Sequence, residues 1–455
     1  MRDSIRMTIK RMRPGYIVIL SYLVAASIGT VLLSLPAASV GDRLEGIDAF
    51  FTATSAICVT GLVVVDTGTQ FTVFGKSVIL ALIQLGGLGV MTFSIFLFLF
   101  IGKGLGIRQR WIITESFTPT PIREISRLIR SIFIFTFSVE AIGAICLFIF
   151  WRRHMPVASA IFTSVFHSIS AFCNAGFSFF RTSFISFRGS AILNITILSL
   201  IVIGGIGFPV IYEFMARIRQ RRLRRLGPLS LHTRMVLWTT AILILAGGLF
   251  IFLLERNRLI AGLPWNEKLF GSLFQSITAR TAGFNTLNIS TLSKASLFIL
   301  VILMFFGASP GSCGGGIKTT SLAVLAAMFK NRIWGKKAVS IFHRSLPMDT
   351  ISRTLSIFIL AVITISTGLI LLLVLHMGGA EGDEPFLAYL FEAVSAFGTV
   401  GLSMGVTSTL TTGGKVVIIF LMLIGRVGLL TIAYVVTARA PRATYQYAEE
   451  RVMIG

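Results

Sequence analysis

Charge is scarce in this 455-residue sequence: Asp, Glu, Lys and Arg make up 13% of it, about half the share usual in soluble domains. An ordinary solvated globular surface is excluded. Acidic residues are rarer still, 18 against 41 basic ones, for a net charge of +23. The bases lie in short tracts between apolar segments, a pattern that marks the cytoplasmic sides of membrane spans. Even 217-RIRQRRLRR-225, which alone would suit nucleic acid, lies between two such spans, so no nucleic-acid partner is expected. Cysteine is limited to Cys58, Cys146, Cys173 and Cys313, in or beside apolar segments and without metal-ligand spacing. Free thiols are expected. His154, His167, His232, His343 and His376 are scattered, with no H-E-x-x-H pair. No nucleophile and base stand together, so the chain reads as a non-enzyme with no side-chain metal site. A phosphate loop is excluded as well. In 307-GASPGSCGGGIKTTS-321, Ile317 separates Gly316 from Lys318, and the run follows the apolar 297-LFILVILMFF-306.

What is abundant is apolar: 55% of the residues are hydrophobic and the mean hydropathy is +0.87. Eight segments are long enough to span a bilayer, at 15–35, 73–101, 131–151, 190–214, 235–254, 295–329 with a break, 354–376 and 414–438. The first follows Arg2, Arg6, Lys10, Arg11 and Arg13 but exceeds a signal-peptide core and is read as retained. Every second connection is basic, which puts both termini in the cytoplasm. The outward connections are too apolar for ordinary loops. Each carries a short apolar stretch, at 48–58, 157–172, 265–279 and 385–396, read as a re-entrant half-helix.

Each half-helix ends in a related motif: 55-SAICVTGL-62, 170-SAFCNAGF-177, 277-ITARTAGF-284 and 395-SAFGTVGL-402. A second glycine cluster follows at 86-GGLG-89, 204-GGIG-207, from Gly307, and at 425-GRVG-428. The two features recur in one order at similar spacing, which defines four repeats of span, half-helix, glycine turn and span. Their bounds are 1–104, 105–215, 216–331 and 332–440, with a tail at 441–455. The predicted fold is all-α and polytopic, with eight transmembrane helices and four re-entrant helices around one pseudo-fourfold axis.

Irregular backbone at membrane depth survives only where protein or a water-filled cavity satisfies it. Half-helices that enter from outside aim their partly negative C-termini inward, which favours a cation. Carbonyls at the turns can replace a cation's hydration shell. A secondary transporter with broken helices at a midplane site, coupled to sodium or protons, is the alternative and calls for two inverted halves.

The fourfold turns 60-TGL-62, 174-NAGF-177, 281-TAGF-284 and 399-TVGL-402, with 309-SPGSCGGGIKT-319, resemble the Trk/Ktr/HKT superfamily of potassium transporters, most closely the bacterial Ktr membrane subunit. The resemblance covers nearly the whole chain. It implies a K+ filter built from the backbone of Val59, Thr60 and Gly61, of Asn174, Ala175 and Gly176, of Thr281, Ala282 and Gly283, and of Thr399, Val400 and Gly401. It also implies a gating loop of Gly307, Ala308, Ser309, Pro310, Gly311, Ser312, Cys313, Gly314, Gly315 and Gly316, faced by Arg426. In some plant relatives a serine at the first filter glycine favours sodium; Gly61 points to potassium. Further implications are a homodimer in the lipid of a bacterial cell membrane and Na+ as a possible activator. A cytosolic RCK/KTN-type regulatory ring, carrying ATP or ADP, would meet the basic inner loops and the tail.

Buried charges complete the reading. Arg426 is expected to form a positive barrier at the constriction, or else to hold loop carbonyls. Arg280 is expected to turn away from the filter and brace its half-helix, against Glu392 or Asp66. Glu140 reads as a buried structural partner, and Lys318 as a support for the helix that restarts after the loop.

Overall fold

The computed structural model describes residues 14–89, 125–221, 228–336, 338–376 and 386–429. Within them the apolar segments fold as helices in a recurring order. The first unit holds α1 (Pro14–Leu33), α2 (Gly46–Ile57) and α3 (Val73–Gly87). The second holds α4 (Ile125–Trp151), α5 (Val157–Phe172), α6 (Ala191–Ile206) and α7 (Phe208–Arg221). In the third are α8 (Leu231–Glu255), α9 (Trp265–Thr278), α10 (Lys294–Phe305) and α11 (Thr319–Ile333). The fourth comprises α12 (Met348–His376), α13 (Phe386–Gly398) and α14 (Thr412–Val427). The tail 441–455, the tract 103–124 and the run 222–227 lie outside the described residues.

Length separates the two kinds of helix. Apolar helices of 22, 25 and 29 residues in α4, α8 and α12 reach across a bilayer, which takes about 20 residues. Their outer faces expose large apolar side chains such as Ile142, Leu245 and Ile363. By contrast, α2, α5, α9 and α13 have 12 to 16 residues and bury their last two turns almost completely. Pro156 and Pro264 stand at the N-caps of α5 and α9, where a proline sets the start of a helix.

The helices that follow start alike. Thr72, Ser190, Ser293 and Thr411 each accept a hydrogen bond from the backbone N–H three residues on, at 3.2–3.4 Å. Each cap contributes about 1 kcal/mol. Each of these second helices also packs on the half-helix of the next repeat: α3 on α5, α6 on α9, α10 on α13 and α14 on α2. The last of these contacts closes the ring. On its outer side Lys415 Nζ meets Asp48 Oδ1 at 2.5 Å, Arg188 Nε meets Glu267 Oε2 at 2.8 Å, and Lys76 Nζ lies 5.0 Å from the Phe179 ring centre.

One expected span is corrected. Residues 190–214 do not form a continuous helix, because α6 and α7 meet at 96° across Gly207. With φ 98° and ψ 141°, Gly207 adopts a conformation closed to other residues. After α11 a two-stranded hairpin, β1 (Ser340–Ile341) with β2 (Arg344–Ser345), packs back on that helix, and Asn331 Nδ2 donates to Ser340 O at 3.1 Å.

Candidate ion pathway

Leaving each half-helix, the chain takes two left-handed residues separated by one. Their φ values are 56° and 90° at Val59 and Gly61, 60° and 70° at Asn174 and Gly176, 77° and 80° at Thr281 and Gly283, and 51° and 87° at Thr399 and Gly401. Val59, Thr281 and Thr399 are β-branched, for which positive φ is an outlier. Such a residue carries strain of about 1–3 kcal/mol and persists only where its surroundings fix it. Here the helix ends and one hydroxyl per repeat do so. Thr60 N donates to Ser55 O at 2.8 Å, Ala175 N to Ser170 O at 2.7 Å, Ala282 N to Thr278 O at 2.9 Å and Val400 N to Ser395 O at 2.8 Å. Ser55 Oγ and Ser395 Oγ accept from Gly61 N and Gly401 N, both at 3.1 Å. Ser170 Oγ donates to Phe177 O at 2.9 Å and Thr278 Oγ1 to Phe284 O at 2.6 Å. These four hydroxyls escaped the sequence reading, although Ser opens three of the four motifs. Thr278 precedes its glycine by five residues where the serines precede theirs by six, so repeat 3 reaches its turn with one residue fewer.

The turns meet one another in chain order. A Cβ on Gly61 would fall on Ala175 O, one on Gly176 on Ala282 O, one on Gly283 on Val400 O, and one on Gly401 on Thr60 O. Each glycine thus lies against the middle carbonyl of the next repeat, and the fourth returns to the first. The twelve expected filter residues are brought together, buried or half-buried, as one closed ring of backbone.

Beneath the ring lies the irregular segment 306–318. Its neck is closed by Gly307 N to Ile317 O at 2.9 Å and Thr319 N to Ala308 O at 3.3 Å. The preceding helix ends at Phe305, five residues before Pro310. The loop is seated on its neighbours by hydrogen bonds. Ser309 N donates to Gly205 O at 3.1 Å, Cys313 N to Gly204 O at 3.2 Å and Gly316 N to Gly425 O at 3.4 Å, while Gly311 O accepts from Phe208 N at 3.0 Å. Upward, Gly315 N donates to Thr399 Oγ1 at 2.9 Å, and Gly307 and Gly314 lie against the Thr281 side chain. Within the loop, Ser312 Oγ donates to Ser309 O at 2.6 Å, and Thr319 Oγ1 reaches Ser309 Oγ at 3.0 Å.

Two cations complete the seat. Buried Arg426 donates through Nη1 to Cys313 O and through Nη2 to Gly86 O, with Nε 3.3 Å from Tyr22 Oη. Its contacts are those of a partner for loop carbonyls. Lys318, at the N-cap of α11, donates from Nζ to Gly314 O at 2.7 Å and to Gly315 O at 3.5 Å. The second glycine clusters now have distinct roles. A Cβ on Gly86, Gly204 or Gly425 would fall on the carbonyl of Ile57, Phe172 or Phe397 in the adjoining half-helix, while Gly89, Gly207 and Gly428 take φ of 84–98°. The first glycine permits close approach, and in repeat 2 the last, Gly207, turns the chain.

Arg280 requires a correction. Its guanidinium lies by Thr240 Oγ1, 3.4 Å from Nη2, and not by Glu392 or Asp66. Glu392 accepts from Ser403 Oγ at 2.8 Å and from Thr407 Oγ1, and Asp66 caps a one-turn helix through Gly68 N at 2.7 Å. Glu140 accepts from Gln84 Nε2 at 3.2 Å and lies 3.8 Å from Cys173 Sγ, immediately behind the second turn. His167 is a structural group: Phe179 N donates to Nε2 at 3.3 Å, and Nδ1 lies 2.8 Å from Thr163 O. All four cysteines are free.

A closed ring of backbone turns carried on re-entrant helices, with an irregular loop beneath it, defines a membrane protein of the cation-transport class. The chain belongs to the TrkH family of cation transport proteins, whose profile matches residues 3–446. It is 38% identical over 447 residues to the Ktr system potassium uptake protein B of Bacillus subtilis, covering 98% of this chain and 97% of that one. It is 36% identical to the Ktr system potassium uptake protein D of the same organism over the full length of both. The crystal structure of the potassium transporter TrkH from Vibrio parahaemolyticus superposes with a TM-score of 0.73 at 19% identity, over 94% of this chain and 86% of that one. The fold is therefore that of an all-helical membrane transporter.

Proposed function

We propose that this protein takes up K+ across a bacterial cell membrane through the ring formed by residues 59–61, 174–176, 281–283 and 399–401. The observation that carries this reading is the closure of the ring, each filter glycine lying against the middle carbonyl of the next repeat. Carbonyls held at fixed spacing stand in for the water that a cation sheds. Partly negative ends of four half-helices favour positive charge at that point. The loop 307–316 is the gate, closed while Arg426, Lys318 and the orphan carbonyls of α6 and α14 hold it. Arg426 adds a positive barrier beneath the filter. The names of the Bacillus relatives support K+ as the substrate, and the word system in them supports a partner. In this reading the chain forms a homodimer with both termini in the cytoplasm. An RCK/KTN-type ring that binds ATP or ADP sets the gate from the inner loops, Na+ acts as an activator, and the chain catalyses no reaction.

The test is ion flux into proteoliposomes of the purified chain, comparing K+, Rb+ and Na+ for the wild type and Gly61→Ser. K+ and Rb+ should enter in preference to Na+. A side chain at Gly61 meets Ala175 O at a φ of 90°, so Gly61→Ser should erode that preference. An unchanged preference in a folded variant would make the turns packing devices and favour a coupled transporter with a midplane site.

A further inference from the structure

Three of the four filter turns are approached by a neutral residue and one by a charge. Three positions before the filter glycine stand Cys58, Cys173 and Gly398 in repeats 1, 2 and 4, and Arg280 in repeat 3. Arg280 is 6% exposed and directly precedes the filter residue Thr281. Its guanidinium is scarcely compensated. Nη2 lies 3.4 Å from Thr240 Oγ1 on α8, Nε has no hydrogen-bond partner, and none of the ion pairs among the described residues includes it. Glu392 and Asp66, the acids expected to brace it, are engaged elsewhere. A cation at this depth is expensive, so its retention points to a use.

Resting on the cation-permeation reading above, we infer that Arg280 sets the ion occupancy of the filter by its electric field. It never touches the ion. The guanidinium turns toward α8, the first helix of its own repeat, and its charge acts through low-dielectric protein that screens it weakly. It opposes the partly negative C-terminus of α9, the half-helix on which Thr281 is carried. One quadrant of the ring is thereby less attractive to a cation than the other three. The bound ion is held more loosely and leaves sooner. Conduction needs binding favourable enough to enter and weak enough to leave. A unit charge acting on a monovalent ion through protein is expected to shift its affinity by about threefold to tenfold.

The experiment is Rb+ uptake by proteoliposomes containing the full chain, with Arg280→Gln, Arg280→Lys and the wild type compared. Arg280→Gln should lower the half-saturating K+ concentration by a factor f of about three to ten and lower the maximal rate. Arg280→Lys should leave both near wild type. A field effect scales with the valence of the ion it acts on. Ba2+, a divalent ion of nearly the radius of K+, should therefore gain as an inhibitor by about f squared, a relation that a loss of bracing has no reason to produce. If Arg280→Gln does not fold, Thr240→Asp neutralises the same charge with the guanidinium in place and should shift K+ in the same direction. Half-saturation that stays or rises in Arg280→Gln overturns the inference, as does a Ba2+ shift equal to that of K+. Failure of both neutralised variants to fold makes Arg280 a brace and also overturns it. A wild type without K+ preference sinks the permeation reading itself, whereas a selective wild type with an indifferent Arg280→Gln sinks only this inference.

Discussion

The second helices of repeats 2 and 3 are both broken, by opposite means. In repeat 2 one residue, Gly207, turns α6 into α7 by 96°. In repeat 3 the irregular segment between α10 and α11 runs from 306 to 318. The short break serves the long one. A helix that stops leaves its last carbonyls without partners, and those of Gly204 and Gly205 accept from Cys313 N and Ser309 N of the loop. Phe208, the first residue after the bend, donates back to Gly311 O. The bend is a socket and the loop its insert. Gly86 O and Gly425 O, at the corresponding positions of α3 and α14, are likewise taken by Arg426 and Gly316 N. The ends of α6 and α14 thus hold the loop directly, and Arg426 ties the end of α3 to it through Gly86 O and Cys313 O.

The comparison breaks most severely where the socket packs. Gly204→Val drives a side chain onto the carbonyl of Phe172 and should destabilise the protein by about 3 kcal/mol. Loss of monodisperse protein, or a much lowered unfolding temperature in detergent, measures this; a Gly204→Val protein as stable as wild type would show that α6 does not need its close approach to α5. Gly207→Ala should cost about 1–3 kcal/mol through the left-handed backbone it must adopt. It also pushes on Pro310 O, so the surviving protein should pass more K+ than wild type. Gly311→Ala tests the insert in place of the socket. Gly311 has φ 70° but is exposed, so only the backbone strain, about 1 kcal/mol, should remain.

Arg426→Met removes the clasp. It orphans the carbonyls of Cys313 and Gly86 and should cost about 1–3 kcal/mol. With Cys58, Cys146 and Cys173 replaced, the thiol of Cys313 becomes the reporter. It is 1% exposed in the seated loop, so a water-soluble thiol reagent should label it faster once the arginine is gone. Flux should rise with labelling; faster labelling without more flux would separate release of the loop from opening of the pathway.

Much of the architecture was legible because membrane segments write their length and polarity into the sequence. The half-helices at 48–58, 157–172, 265–279 and 385–396 differ from α2, α5, α9 and α13 by a few residues at most. The break in repeat 3 was legible because 307–316 carries small and glycine residues where a helix would carry leucines. The bend at Gly207 was not. Its cluster, 204-GGIG-207, lies inside an unbroken apolar run, and one glycine in a membrane helix does not announce whether it packs or turns. Both kinds occur within three residues here, Gly204 packing and Gly207 turning. Sequence alone sets Arg280 against acids because charge pairing is the default for a buried arginine. Its contact with Thr240 depends on the angle at which α8 passes α9, which no local pattern encodes.

The smallest predicted effect concerns the hydroxyl pins. Ser55 and Ser395 accept from the third residue of the turn, Gly61 or Gly401, whereas Ser170 and Thr278 donate to the carbonyl just beyond the turn glycine. Removing any of them costs about 1 kcal/mol, so all four alanine variants should fold. The consequences for selectivity differ. Ser55→Ala and Ser395→Ala free the N–H of Gly61 and Gly401, and with it the plane of the peptide whose carbonyl, that of Thr60 or Val400, lies against the neighbouring glycine. Ser170→Ala frees a carbonyl outside the triplet. The ratio of Rb+ to Na+ uptake should therefore fall in the first two and hold in the third. An equal loss in all three would mean that the pins act on the turns as a whole, and that the ring's selectivity resides in its overall stiffness rather than in the setting of individual carbonyls.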